Sequence, residues 1–148
     1  MLLGGALLLQ SVDSAAQINP LERRLAAATR VECQFTAVAT GDWAGDMGTA
    51  AVAETQHEAT FFDVDIDGGT AESEGQFGAT FIVVRYAHAY LHFMQMSDAG
   101  PLHLTTVLAQ ESSNGRLKAM QTRHEYSRIA LPGFTSRPEM YIGDCEVS

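Results

Sequence analysis

The chain has 148 residues and a formal net charge of −9, and a chain of that length buries about two-thirds of its unfolded surface in one core, so a single domain is expected. Between Val31 and Thr80 every ionised side chain is acidic: Glu32, Asp42, Asp46, Glu54, Glu58, Asp63, Asp65, Asp67, Glu72 and Glu74. That half repels a polyanion, which argues against nucleic acid as a main partner. The bases collect later, at Arg116, Lys118, Arg123, Arg128 and Arg137, and are read as solubility and cross-strand pairing partners for the acids.

In chain order, residues 1–16 carry an apolar run, Leu2-Leu3-Gly4-Gly5-Ala6-Leu7-Leu8-Leu9, that ends in Ser14-Ala15-Ala16. This is the pattern of a signal peptide cleaved after Ala16, although no Lys or Arg precedes the run; the alternative is a buried N-terminal helix. The run is too short for a membrane span, and no later segment reaches the roughly 20 residues required. Residues 17–30 form an arm or short helix, with Asn19 as N-cap, Pro20 in the first turn and Leu21, Leu25 and Ala28 on one face.

Residues 31–148 read as one β-rich domain. The period becomes two at Val31, Cys33, Phe35 and Ala37, and alternation returns at Phe62–Ile66, Thr80–Tyr86, Tyr90–Met96, Leu102–Gln110, Leu117–Tyr126 and Glu139–Glu146. Turn chemistry separates these runs at Gly68-Gly69, Ser97–Pro101, Ser112–Gly115 and Leu131-Pro132-Gly133. The expected fold is all-β, a small antiparallel barrel or alternatively a sandwich, with a short N-terminal helix.

The chain has two cysteines, Cys33 on the first strand and Cys145 on the last. A disulfide between them is expected, which places the protein in an oxidising compartment, secreted or periplasmic, and brings the two ends of the sheet within about 7 Å. The alternatives are two buried thiols or a metal pair, against which stands the lack of C-x-x-C spacing and of a nearby His.

The segment Thr40-Gly41-Asp42-Trp43-Ala44-Gly45-Asp46-Met47-Gly48-Thr49 resembles the Gly-x-Trp stretch that opens the barrels of lipocalin- and avidin-like proteins. The resemblance spans about ten residues. It implies a barrel with Trp43 sealing one end and Thr49 placed as a ligand-facing hydroxyl. It does not imply biotin, because Gly45 stands where the amide is expected and Trp43 is the only tryptophan.

Three groups of residues have chemistry to offer. Asp63-Val64-Asp65-Ile66-Asp67-Gly68, with Glu74 at the twelfth position, satisfies the spacing of a Ca²⁺ loop. Its flanks alternate as strands rather than helices, so a strand with solvated aspartates ending in a Gly-Gly turn is the competing reading. Arg123, His124 and Tyr126 are the candidates for acid–base work; alternation puts Arg123 with Glu125 and His124 with Lys118 on opposite faces. His57, His88, His92 and His103 show no metal-ligand spacing; His92 and His103 could oppose each other across the Ser97–Pro101 hairpin as a metal pair, but two imidazoles alone make a poor site. The apolar run from Phe81 to Met96 is core or the wall of a cavity.

The function expected first is a non-enzymatic binding module for a small apolar or amphipathic ligand, held by Trp43, Thr49, Phe81 and Phe93. Alternatives are an inhibitor or interaction module presenting the Gly133–Pro138 loop to a protein partner, and an enzyme using His124.

Overall fold

The computed structural model describes residues 19–73, 82–96, 100–127, 129 and 136–148. Residues 1–16, Phe81, Glu74 and residues 133–135 of the Gly133–Pro138 loop lie outside the described residues. The elements are α1 (Pro20–Ala26), β1 (Val31–Ala44), β2 (Met47–Asp65), β3 (Thr70–Ser73), β4 (Ile82–Ala87), β5 (Tyr90–Met96), β6 (Leu102–Glu111), β7 (Leu117–His124) and β8 (Glu139–Val147). Every neighbouring pair is antiparallel, and β8 returns to β1 to close the sheet into a barrel.

Closure follows from the phase of the inward residues. Val31, Cys33 and Phe35 on β1 face Val147, Cys145 and Gly143 on β8, and each of the first two pairs is buried. The Cys33–Cys145 disulfide bridges directly opposed positions, with Cα atoms 3.9 Å apart. At Gly143 any β-carbon would enter the backbone of Gln34 and Phe35, so glycine is required where β1 bulges between Phe35 and Ala37. Outside the barrel, Arg116 ties the same seam, bonding Asp144 Oδ1 at 2.6 Å and the Glu32 carbonyl at 2.9 Å.

Helix α1 seals one end. Asn19 Oδ1 accepts the Leu21 N–H at 2.9 Å and Pro20 opens the first turn, as the sequence predicts. Leu25 and Ala28 join the core, against which Leu21 also packs. The amides of Thr29 and Arg30 donate to the Ser148 carbonyl at 2.8 and 2.9 Å, so the start of the barrel wall is fastened to the end of the chain. Above the plug the interior is aliphatic, with Val31, Leu91, Val107, Leu117 and Val147 buried. Phe61 and Phe93 then stack across it, centroids 4.1 Å apart.

β2 departs most from expectation. Alternation predicts Phe62, Val64 and Ile66 on one face, yet Phe61 is the buried residue and Phe62 is not. Asp63 has φ +49° and the pairing with β3 shifts between Phe62 and Asp65, so the phase changes and Val64 is buried beyond it. β2 also starts at Met47, far earlier than its aliphatic content suggests, and forms with β1 a long hairpin turned at Gly45, φ +65°.

The disulfide closes a loop of sequence separation 112, worth about 5 kcal/mol in the chain-entropy model. The Cys33→Ala/Cys145→Ala double variant is therefore expected to lose stability of that order in urea denaturation, and an unchanged midpoint would contradict it.

Candidate functional site

At the barrel end opposite α1 the inward positions turn polar. His57 on β2, His103 and Thr105 on β6, Gln121 and Arg123 on β7, and Glu139 and Tyr141 on β8 continue the inward alternation of their strands, and Glu125 and Ser136 join them from the connection after β7. A chain of hydrogen bonds spans the interior: His57 Nε2 donates to Gln121 Oε1 at 2.6 Å, and Gln121 Nε2 donates to Thr105 Oγ1 at 2.8 Å. Gln121 and Thr105 are buried, so this chain meets the need of buried polar groups for partners. The His57 ring lies between aromatic neighbours, 5.6 Å from the Phe35 centroid and 4.4 Å from that of Tyr141.

Arg123 is the centre of charge. It is hydrogen-bonded to Glu125, reaches Glu139 Oε2 at 3.5 Å and donates to Ser136 Oγ at 3.2 Å. Its Nε is buried and finds no acceptor among the described residues. Burial opposes the charge of Arg123, but Glu125 and Glu139 outweigh it and raise the guanidinium further above its ordinary value. Burial likewise opposes ionisation of Glu125, and the hydrogen bonds from Arg123 and Ser136 reverse that, holding the carboxyl below its usual range. Tyr141 donates to Glu139 Oε2 at 2.7 Å; burial first, then this bond, pushes its hydroxyl up to about 12. Burial, with the nearby Arg123 and His57, lowers His103 despite Glu125 and Glu139. The arrangement is a set of fixed donors and acceptors above an apolar floor, with a neutral imidazole at His103.

The residues singled out in the sequence scatter around this cluster. Arg123 belongs to it. His124 points to the outer surface, exposed, with Nε2 3.1 Å from Thr122 Oγ1, so strand alternation separates the two. Tyr126 packs edge-on against Trp43 at 4.8 Å, under Arg137 at 5.1 Å. Trp43 sits at the tip of the β1–β2 hairpin, 52% exposed, while the sealed end of the barrel is sealed by α1. Thr49 is exposed across the hairpin from Asp42, its hydroxyl donating to the Asp42 carbonyl at 3.3 Å. Asp42 in turn pairs with Arg137 Nε at 2.8 Å; that hydrogen bond, with the Trp43 N–H, lowers its carboxyl.

Phe93 is in the core, opposite Thr105, and so forms the floor beneath the polar cluster. His92 and His103 do not face each other: His92 is opposite Thr106 on the outside, and His103 is opposite Gln95. In the acidic loop, Asp65 Oδ1 accepts the Gly68 N–H at 2.7 Å as a turn bond. Among the described residues no three His, Cys, Asp or Glu side chains converge to hold a metal ion.

His57, Gln121, Glu139 and Tyr141 escape the sequence reading because strand phase alone does not say where along a wall the apolar lining stops. The available signal was the odd-numbered run Leu117, Ala119, Gln121, Arg123, which turns from apolar to polar on one face.

No protein-family model matches the chain, and neither a curated protein nor a solved structure matches it.

His103 gives the site a pH signature. Its folded pKa lies below the ordinary 6.5, so the unfolded chain binds the proton first as pH falls; its effect is absent above that value, and stability declines below it. Urea midpoints measured between pH 7.5 and 5 should fall for the native chain and fall less for His103→Gln; equal slopes would remove His103 as the cause.

Proposed function

We propose that this protein is a non-enzymatic binding module, working outside the reducing cytoplasm, that takes a small amphipathic ligand at the polar end of its barrel. The observation that carries the proposal is the convergence of inward polar groups around Arg123 Nε, a buried donor with no acceptor among the described residues. Leaving such a donor unmet costs about 1–3 kcal/mol. A ligand oxygen placed there would recover that loss. Below it, the stacked Phe93 and Phe61 form an apolar floor, and the packed rings of Phe35, His57 and Tyr141 form an aromatic wall. Small-ligand sites combine an apolar lining with a few placed polar groups in this way, often in the mouths of β-barrels.

The location rests on the disulfide, which persists in oxidising compartments, and on the signal-like residues 1–16. Among the described residues no helix is long and apolar enough to cross a membrane.

The test is a thermal-shift and Trp43-fluorescence screen with small amphipathic molecules, ring-bearing and acyclic, each carrying a carbonyl or hydroxyl oxygen. A ligand present at 100 times its Kd should stabilise the fold by about 2.7 kcal/mol, and Arg123→Lys, which removes Nε while keeping the charge, should weaken that ligand at least tenfold. A panel that leaves both readouts unchanged, or binding indifferent to Arg123→Lys, would overturn the proposal.

A further inference from the structure

The β1–β2 hairpin carries a feature that ligand binding does not use. Residues Met47–Glu54 of β2 are exposed. On one side they pair with β1; on the other no described strand accompanies them, because β3 meets β2 only from Phe61 onward.

Unpaired strand edges are normally guarded by lysine, proline, a bulge or a charge. Met47-Gly48-Thr49-Ala50-Ala51-Val52-Ala53 has no charged residue and no proline, and its register with β1 is unbroken from Glu54 to Met47. Its outer face is also continuous with an uncharged row around the barrel. Val52 pairs with Ala39, Ala39 with Met140, Met140 with Thr122, Thr122 with Leu104, and Leu104 with Met94. Val52 is 78% exposed, and Met140 and Met94 are also exposed.

We propose that this edge pairs with the same edge of a second copy of the chain, antiparallel, about a two-fold axis at Ala51. An axis normal to the sheet keeps outer residues with outer residues, so Val52 meets the partner's Ala50 and Ala53 meets the partner's Thr49. Glu54 then faces the partner's Gly48. Moving the axis to Ala50 would set Glu54 against the partner's Asp46, a like-charge pairing that destabilises a ladder. The contact is isologous. Because the rest of the barrel is closed, pairing consumes the only unpaired stretch of this length among the described strands and stops at two copies. Each chain carries a net charge of −9, so added salt, which screens the repulsion, strengthens the dimer.

The experiment is sedimentation of the purified chain from nanomolar to millimolar concentration, in low and high salt, alongside Ala51→Lys and Ala51→Glu. Ala51 is exposed on the hairpin, so both variants should retain the native melting profile. The native chain should be a dimer that tightens with salt; each variant alone, setting like charges face to face, should weaken it at least tenfold. An equimolar mixture of the two should dimerise again, because Lys then faces Glu. A monomeric native chain throughout, a dimer indifferent to both variants, or a mixture that stays monomeric would each overturn the proposal.

Discussion

Pairing of the first strand with the last is the constraint on which the rest of the structure depends. β1 and β8 meet along a register in which Val31, Cys33 and Phe35 face Val147, Cys145 and Gly143, and each of these pairs serves closure differently. The valines bury apolar surface, the cysteines form a covalent bond, and glycine permits the backbones to approach where β1 bulges. Arg116, just before β7, adds an external tie to both strands. Because Thr29, Arg30 and Ser148 exchange backbone hydrogen bonds just beyond the seam, α1 is positioned by the same junction and seals the barrel beside it.

Closure creates an interior that changes character along its axis. Near α1 the lining is aliphatic and its gain is burial, roughly 1.5–3 kcal/mol for each large side chain. At mid-height Phe61 and Phe93 fill the space. Beyond them, His57, Gln121 and Thr105 form a hydrogen-bonded line, and Arg123 gathers Glu125, Glu139 and Ser136. Such groups are held in fixed orientation by the rigid wall, which is how a barrel presents specific donors and acceptors. The unmet Nε of Arg123 is the point where the network is incomplete within the described chain.

Much of the architecture was legible because period-two alternation, turn residues and the cysteine pair all agree on an antiparallel sheet with joined ends. The N-cap of α1 and the strands from Tyr90 onward follow the same local rules. β2 was not legible: Met47–Ala53 is small and uncharged, with neither an apolar face nor a polar one, because the hairpin arm is exposed. Its phase near Asp63 was hidden by a positive φ that alternation cannot register. The site suffered from both effects. His57 lies on the unread strand, and Tyr141 and Glu139 acquire their meaning only from strands far apart in sequence. Trp43, the most conspicuous residue, belongs to the arm, where Tyr126 packs on its ring and Asp42 accepts its N–H, with Arg137 joining those two partners.

The arm and the polar end are thus built on one continuous pair of strands, with β1 contributing Phe35 to the interior and Trp43 to the tip. Any rearrangement at the seam would disturb both. Hydrogen exchange of individual backbone amides is the most direct measurement of that closure. In a closed barrel β8 is an interior strand bonded on both sides over Glu139–Cys145, so the amides of Tyr141–Cys145 should be as slow to exchange as those of β6. An open sheet would leave β8 as an edge, and fast exchange at alternate amides there, with slow exchange in β6, would contradict the structure.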